Sequence, residues 1–231
     1  MPYAALVITT VVFDADETLL DLRPAIRGAL QAVLAEMRRV TAAAAEVSIL
    51  ELEADWAHAF AADPQRPVAE LRRAALARSL ARVGLDSHLD RLLGLFFATR
   101  FALTRPYPDV LATLAVLRRS YRLGLATNGN SHADRCGLGG QFDFEVYADR
   151  DGVPKKPAAG FFSAVLAAAG APAHAVVHVG DNLALDVTAA QSVGLRGGWL
   201  NRTGAALPPD AEPNLSIVGL LELPAALRNW E

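Results

Sequence analysis

Three stretches of this chain end apolar runs with oxygen-bearing side chains, and residues of those types at those spacings suit chemistry on a charged group. The first is Val11-Val12-Phe13-Asp14-Ala15-Asp16-Glu17-Thr18, the second Ala126-Thr127-Asn128-Gly129-Asn130, and the third Val179-Gly180-Asp181 with Asp186 five residues on. Burying a carboxylate is costly unless a cation or hydrogen-bond donors compensate it. Asp14 and Asp16 leave an apolar run together, so they point to a bound cation or a charged substrate. Taken alone, the first stretch also reads as a strand followed by an acidic turn; the other two stretches give it context.

The chemistry these residues fit is phosphoryl transfer. A hard cation such as Mg²⁺ takes oxygen ligands from one or two carboxylates plus substrate phosphate, which Asp14 and Asp181 can supply. Thr127 and neighbouring backbone N–H groups can hold phosphate oxygens, while a lysine balances the charge that spreads over the transferring group. Of 22 basic residues only two are lysines, the adjacent Lys155 and Lys156. His58, His88, His132, His174 and His178 show no pair at a metal-ligand spacing and read as surface or core histidines.

The apolar run 6–13 that leads into Asp14 is short and β-branched and predicts a buried strand. Helical periodicity follows from Pro24 to Val40, over 42–62 (Val47, Leu50, Ala54, Ala57 and Phe60 in register), over 67–83 and over 86–103. Trp56, Phe60, Phe96 and Phe97 read as core of this bundle. From Arg105 the texture changes to alternation. Helices are expected at 109–120, 158–169 and 184–193, strands at 122–126, 142–147, 175–179 and 198–200, and a short strand and helix after the Pro-rich segment 205–213. Such alternation argues for an α/β fold with a parallel sheet covered on both faces, and in such sheets ligands bind outside the carboxyl ends of the strands.

Composition bounds the alternatives. The 231 residues, 52% apolar and 20% charged, describe a globular protein, and the net charge of −3 argues against nucleic acid as a partner. The single cysteine, Cys136, forms no internal disulfide and fits a reducing cytoplasm. The N-terminal apolar run lacks a basic leader and meets Asp14 early, and no later apolar stretch is long enough to span a bilayer. The expectation is therefore neither secretion nor a membrane partner. Oligomeric state is open.

Taken together, these motifs resemble the haloacid dehalogenase-like superfamily of hydrolases. Asp14-Ala15-Asp16-Glu17-Thr18 is similar to its first motif, Thr127 to its second, Lys156-Pro157 followed by Phe161-Phe162 to its third, and Gly180-Asp181 with Asp186 to its fourth. The resemblance implies a Rossmann-like parallel-sheet core domain over 1–20 and 105–231 with an inserted four-helix cap domain over 21–104. It implies Asp14 as the nucleophile that forms an aspartyl-phosphate and Asp16 as general acid and then base. Mg²⁺ would be held by the Asp14 carboxylate, the Asp16 backbone carbonyl and Asp181, with Asp186 supporting that shell. Thr127, Asn128 and Lys156 would bind phosphate.

The implied substrate is a small phosphorylated metabolite. A phosphomutase would use the same residues, a non-catalytic member would keep the fold alone, and a dehalogenase would, as the resemblance implies, lack the acid Asp16. Two departures stand out. Glu17 occupies a position where many relatives have glycine, and Ala158-Ala159 follow Lys156-Pro157 where acidic and proline residues are more usual. The second leaves Lys155 as a substitute for Lys156, although the helix pattern through Phe161, Phe162 and Val165 favours Lys156.

Overall fold

The computed structural model describes residues 7–228 and 230. Its strands are β1 (Thr10–Phe13), β2 (Arg122–Thr127), β3 (Phe144–Tyr147), β4 (Val176–Gly180), β5 (Arg196–Leu200) and β6 (Leu215–Ile217). They form one sheet in the order β3-β2-β1-β4-β5-β6 with every pair parallel. The helices are α1 (Leu22–Val40), α2 (Ile49–Ala62), α3 (Val68–Ala81), α4 (Leu89–Leu103), α5 (Val110–Leu117), α6 (Ala159–Ala169), α7 (Ala189–Ser192) and α8 (Leu223–Arg228). The architecture is α/β and Rossmann-like.

The chain divides into two compact units. One joins the segment up to Leu20 with the segment from Pro106 onward, and the other is Asp21–Arg105. In the sheet unit, β1 and β4 are buried along their whole length, as a parallel sheet covered on both faces requires. Val12, Ala126 and Val146, from three neighbouring strands, pack with Phe161, Phe162 and Val165 of α6 and with Ala189 and Ala190 of α7. The pairing sets Phe13 opposite both Leu125 and Val179, so the residues that follow β1, β2 and β4 leave the sheet at one edge. Strand order reverses at β1, between β2 and β4, and this is the switch point where open sheets bind ligands.

In the helical unit, Leu30, Val33, Leu34 and Met37 of α1 share a core with Leu52, Leu76, Leu80, Leu92 and Phe96. Several sequence expectations need correction here. The helical stretch 42–62 is broken into a 3₁₀ turn at Ala42–Ala44 and α2, because Ser48 starts a fresh helix through a capping box with Glu51. The buried face of α2 carries Leu52 and Asp55, not the register of Leu50, Ala54 and Phe60. Leu50 is 75% and Phe60 46% exposed, and of the four aromatics taken as core only Phe96 is fully enclosed. The reason is charge pairing across helices. Asp55 is buried where Arg78 at 3.0 Å, Arg82 at 2.7 Å and the Ser79 hydroxyl at 2.5 Å meet its carboxylate, and hydrophobic periodicity cannot register a buried carboxylate.

Two further boundaries shift. The run 6–13 pairs as a strand only from Thr10, with Val7 and Thr9 exposed, while Leu6 lies outside the described residues. The stretch 184–193 begins as a π-helical turn, Leu183–Thr188, and becomes α-helical only at Ala189. Single π turns recur at functional sites because the extra residue re-aims a side chain; here the turn carries Asp186.

Candidate functional site

A cavity of about 170 Å³ opens at the switch-point edge of the sheet. It is lined by Asp14, Asp16, Thr127, Asn128, Lys156, Asp181 and Asp186, the residues for which the resemblance implies a catalytic, metal or phosphate role, together with Gly129, Asn182 and Leu185. Pockets that enclose a whole ligand measure about 300–1,000 Å³. This cavity is smaller, with room for a group the size of a phosphate.

Lys156 is the hub. It is 4% exposed, and its Nζ donates to Asp14 Oδ1 at 2.6 Å, to Asp186 Oδ1 at 2.6 Å and to the Ala126 carbonyl at 3.3 Å. Lys155 does not line the cavity. Lys156 precedes a cis peptide to Pro157. Asn128 grips its backbone from both sides: the Lys156 N–H donates to Asn128 Oδ1 at 2.6 Å, and Asn128 Nδ2 donates to the Lys156 carbonyl at 3.1 Å. With both ends engaged, the Asn128 side chain positions the lysine, a role that sequence reasoning missed.

The carboxylates carry more charge than one ammonium can offset. Asp14, Asp181 and Asp186 each offer an oxygen within 4.8 Å of the others. Burial pushes Asp14 up to about 8 in spite of Lys156 beside it, and Asp186 and Asp16 push the same way. Burial also lifts Asp181, with the charge of Asp186 adding to it, to about 6. Asp186 goes the opposite way: burial opposes its charge, but Lys156 and a hydrogen bond from His178 hold it well below the usual carboxylate range. Lys156 is likewise raised by Asp14 and Asp186 although burial works against it. Three clustered carboxylates facing one ammonium form an all-oxygen donor set short of positive charge, which fits a hard divalent cation.

The remaining contacts fix these groups in place. Thr18 accepts from the Asp181 N–H at 3.0 Å and donates its hydroxyl to Asp181 Oδ1 at 3.2 Å, while Trp199 Nε1 donates to the Asp181 carbonyl at 2.9 Å. His178 is fully buried; its Nε2 lies 3.1 Å from Asp186 Oδ1, and burial lowers its pKa against the pull of that carboxylate. The expectation of a core histidine holds, and its contact with Asp186 is an addition. Asn182 caps the π turn by accepting from the Ala184 and Leu185 N–H groups, and its own N–H donates to Asp186 Oδ2 at 3.1 Å.

Asp16 is held by the Ser131 hydroxyl, another residue the sequence reading passed over. Thr127 is buried with its hydroxyl oxygen accepting from the Gly129 N–H at 3.2 Å. A Cβ on Gly129 would stand 2.9 Å from Asp16 Oδ2, and one on Gly180 would collide with the Asp186 carboxylate. Both glycines exist for close approach. Glu17 adopts φ 61°, the left-handed region that favours glycine, and its carboxylate accepts from the Tyr107 hydroxyl at 3.5 Å.

Comparison with known proteins agrees with this geometry. A family model described as haloacid dehalogenase-like hydrolase matches residues 8–194. Haloacid dehalogenase-like hydrolase domain-containing protein 3 of Danio rerio is 36% identical over 124 residues, 50% of this chain and 51% of that protein. The phosphoglycolate phosphatase of Pseudomonas syringae pv. tomato is 34% identical over 198 residues, 80% of this chain and 66% of that protein. The chain thus spans about half the length of the first relative and just under two thirds of the second. The crystal structure of a 2-haloacid dehalogenase from Pseudomonas syringae pv. tomato DC3000 matches with a TM-score of 0.82 and 32% identity over 97% of this chain and 100% of that one.

Proposed function

Since the chain belongs to the haloacid dehalogenase-like hydrolases, we propose that it is a Mg²⁺-dependent phosphohydrolase that cleaves a small phosphorylated metabolite through an aspartyl-phosphate on Asp14. The observation that carries this reading is the pairing of Asp14 with Asp16 in one cavity: a carboxylate held by Lys156 and, two residues on, a second carboxylate held by Ser131.

In this reading an Asp14 oxygen attacks phosphorus as the bond to the leaving oxygen breaks. Asp16 gives that oxygen its proton. A water then attacks the aspartyl-phosphate, loses its proton to Asp16, and releases phosphate and the free Asp14 carboxylate. Lys156 orients Asp14 and meets the phosphoryl charge, with Asn128 holding the lysine in place. The Thr127 hydroxyl and the backbone N–H groups after it receive phosphoryl oxygens. Asp14, Asp181 and the Asp16 carbonyl would hold Mg²⁺, with Asp186 behind them. When bound, the cation supplies Lewis-acid charge that lets phosphate approach three carboxylates. The helical unit would serve as a cap that excludes water during turnover.

A second reading is supported by the match to a protein described as a 2-haloacid dehalogenase. There the same aspartate would displace halide, a leaving group that needs neither proton nor cation, and Asp16 would have no task. One experiment separates them: turnover of p-nitrophenyl phosphate and of a panel of phosphorylated metabolites, with Mg²⁺ and with excess EDTA, beside halide release from 2-chloropropionate. Phosphate release that EDTA abolishes and Mg²⁺ restores is the expected result. Undiminished hydrolysis in EDTA, or halide release without phosphate release, overturns the proposal.

A further inference from the structure

Arg72 of α3 stands in an unusual setting within the helical unit. It is only 4% exposed, and its guanidinium carbon lies 4.1 Å above the Trp56 ring and 4.3 Å above the Phe96 ring. The charge that acts on it is of the same sign: Arg100 of α4, itself 4% exposed, over the ring of Phe101. Burial and Arg100 together lower the pKa of Arg72 to about 10, and no acidic group acts in the other direction. The same unit shows what a settled buried charge looks like, since Asp55 is met by two arginines and a serine.

Aromatic faces attract a guanidinium through the ring quadrupole, but they do not engage its N–H donors, which lie in its plane. Those of Arg72 donate to no side chain or carbonyl among the described residues. They are also absent from the fully enclosed polar atoms without a partner, which belong to His132, His178 and Arg196. These nitrogens therefore keep some contact with solvent, although the side chain as a whole is buried. A guanidinium set against two rings with its N–H donors unpaired can take a planar or tetrahedral oxyanion through two parallel hydrogen bonds.

We propose that the helical unit carries an oxyanion site built on Arg72, beside the Trp56 and Phe96 rings, and that it takes a carboxylate or phosphate group of a metabolite. The site is independent of whether the sheet unit hydrolyses phosphate esters, and binding rather than turnover tests it. The measurement is calorimetric titration of the 231-residue protein with malonate and, separately, with inorganic phosphate, on the wild type, Arg72→Met and Arg72→Lys. Lys156→Met, which removes the ammonium from the cavity of the sheet unit, is titrated alongside.

Saturable binding in the wild type that persists in Lys156→Met, falls at least tenfold in Arg72→Met and falls less in Arg72→Lys is the expected result; the tighter probe tells carboxylate from phosphate. Thermal melts add a second readout. Without the anion, Arg72→Met should melt no lower than the wild type, and the rise in Tm that the anion gives the wild type should vanish. Absence of saturable binding by either probe in the wild type overturns the proposal without recourse to any variant. So does equal binding by wild type and Arg72→Met.

Discussion

Replacing Lys156 by methionine tests the centre of the site more sharply than any other single change. The methionine preserves most of the stem and removes only the ammonium, leaving Asp14 and Asp186, both buried, without the group that lies 2.6 Å from each. Removing one member of a buried pair costs about 3–5 kcal/mol, because the partner is left as an uncompensated charge. At about 2–4 °C per kcal/mol for a protein of this size, Tm in metal-free buffer should fall by roughly 6–20 °C. The loss should depend on pH. Asp14 is already raised to about 8, and without Lys156 it rises further. A carboxylate raised in the folded state contributes stability below its unfolded pKa and loses it as pH rises, so the deficit should be larger at pH 8 than at pH 5. The assay is thermal denaturation of wild type, Lys156→Met and Lys155→Met in EDTA at both pH values, with p-nitrophenyl phosphate turnover in Mg²⁺. A fall in Tm below about 2 °C, or one equal at both pH values, would refute the electrostatic argument. Loss of turnover in Lys155→Met but not in Lys156→Met would show the wrong lysine assigned to the site.

Three further outcomes follow from the same geometry. Asp16→Asn should lower turnover of alkyl phosphates by about 10²–10⁴ and of nitrophenyl phosphate by less in the first step, because nitrophenolate departs without a proton. Intact mass should then reveal trapped phosphate, and an unchanged alkyl-phosphate rate would remove Asp16 from the chemistry. In metal-free protein, Asp14 at about 8 and Asp181 at about 6 should lower stability as pH climbs from 4 to 8, with Asp186, held below its ordinary value, acting only under pH 4. Saturating Mg²⁺ should therefore raise Tm more at pH 8 than at pH 5, and an equal rise at both would count against carboxylate ligation. Glu17→Gly should relieve about 1–2 kcal/mol of left-handed strain against a glycine entropy cost of about 0.5–1 kcal/mol. A rise in Tm of roughly 1–4 °C is expected, and a fall would show that contacts such as the one with Tyr107 outweigh the strain.

What could be read in the sequence was whatever leaves a local signature. Apolar runs that stop at Asp14, Thr127 and Asp181 mark strand ends, and because a parallel sheet gathers its carboxyl ends at one edge, residues far apart in sequence were legible as neighbours. Lys156 was legible for a different reason: the chain has two lysines, and the helix beyond Pro157 orients one of them. The residues that were missed act through shape or partnership. Ser131 and His178 matter through contacts to Asp16 and Asp186, and a serine or a histidine in a loop or strand carries no pattern that names its partner. The misread face of α2 has the same origin, since Asp55 is buried only because α3 brings two arginines to it. One missed signal was available: Ser48 with Glu51 three residues on is a helix start written in the sequence, and it would have split the stretch 42–62 correctly.

The joint between the two units has a consequence for how such a chain can change over time. On the sheet side, Leu20 bridges Pro106 and the Tyr107 N–H donates to the Leu19 carbonyl at 2.9 Å; on the helical side, the Asp21 N–H donates to the Arg105 carbonyl at 3.1 Å. Departure and return therefore run side by side, and each unit is tied off at its own boundary. For the sheet, the whole helical segment is a loop whose ends are already joined, and the entropy of closing such a loop rises by only about 0.6 kcal/mol for each doubling of its length. Residues can be added to, removed from or exchanged within that segment at small cost to the strands that hold Asp14 and Asp181. Change in the length and make-up of that segment can thus proceed apart from change in the strands that hold Asp14 and Asp181.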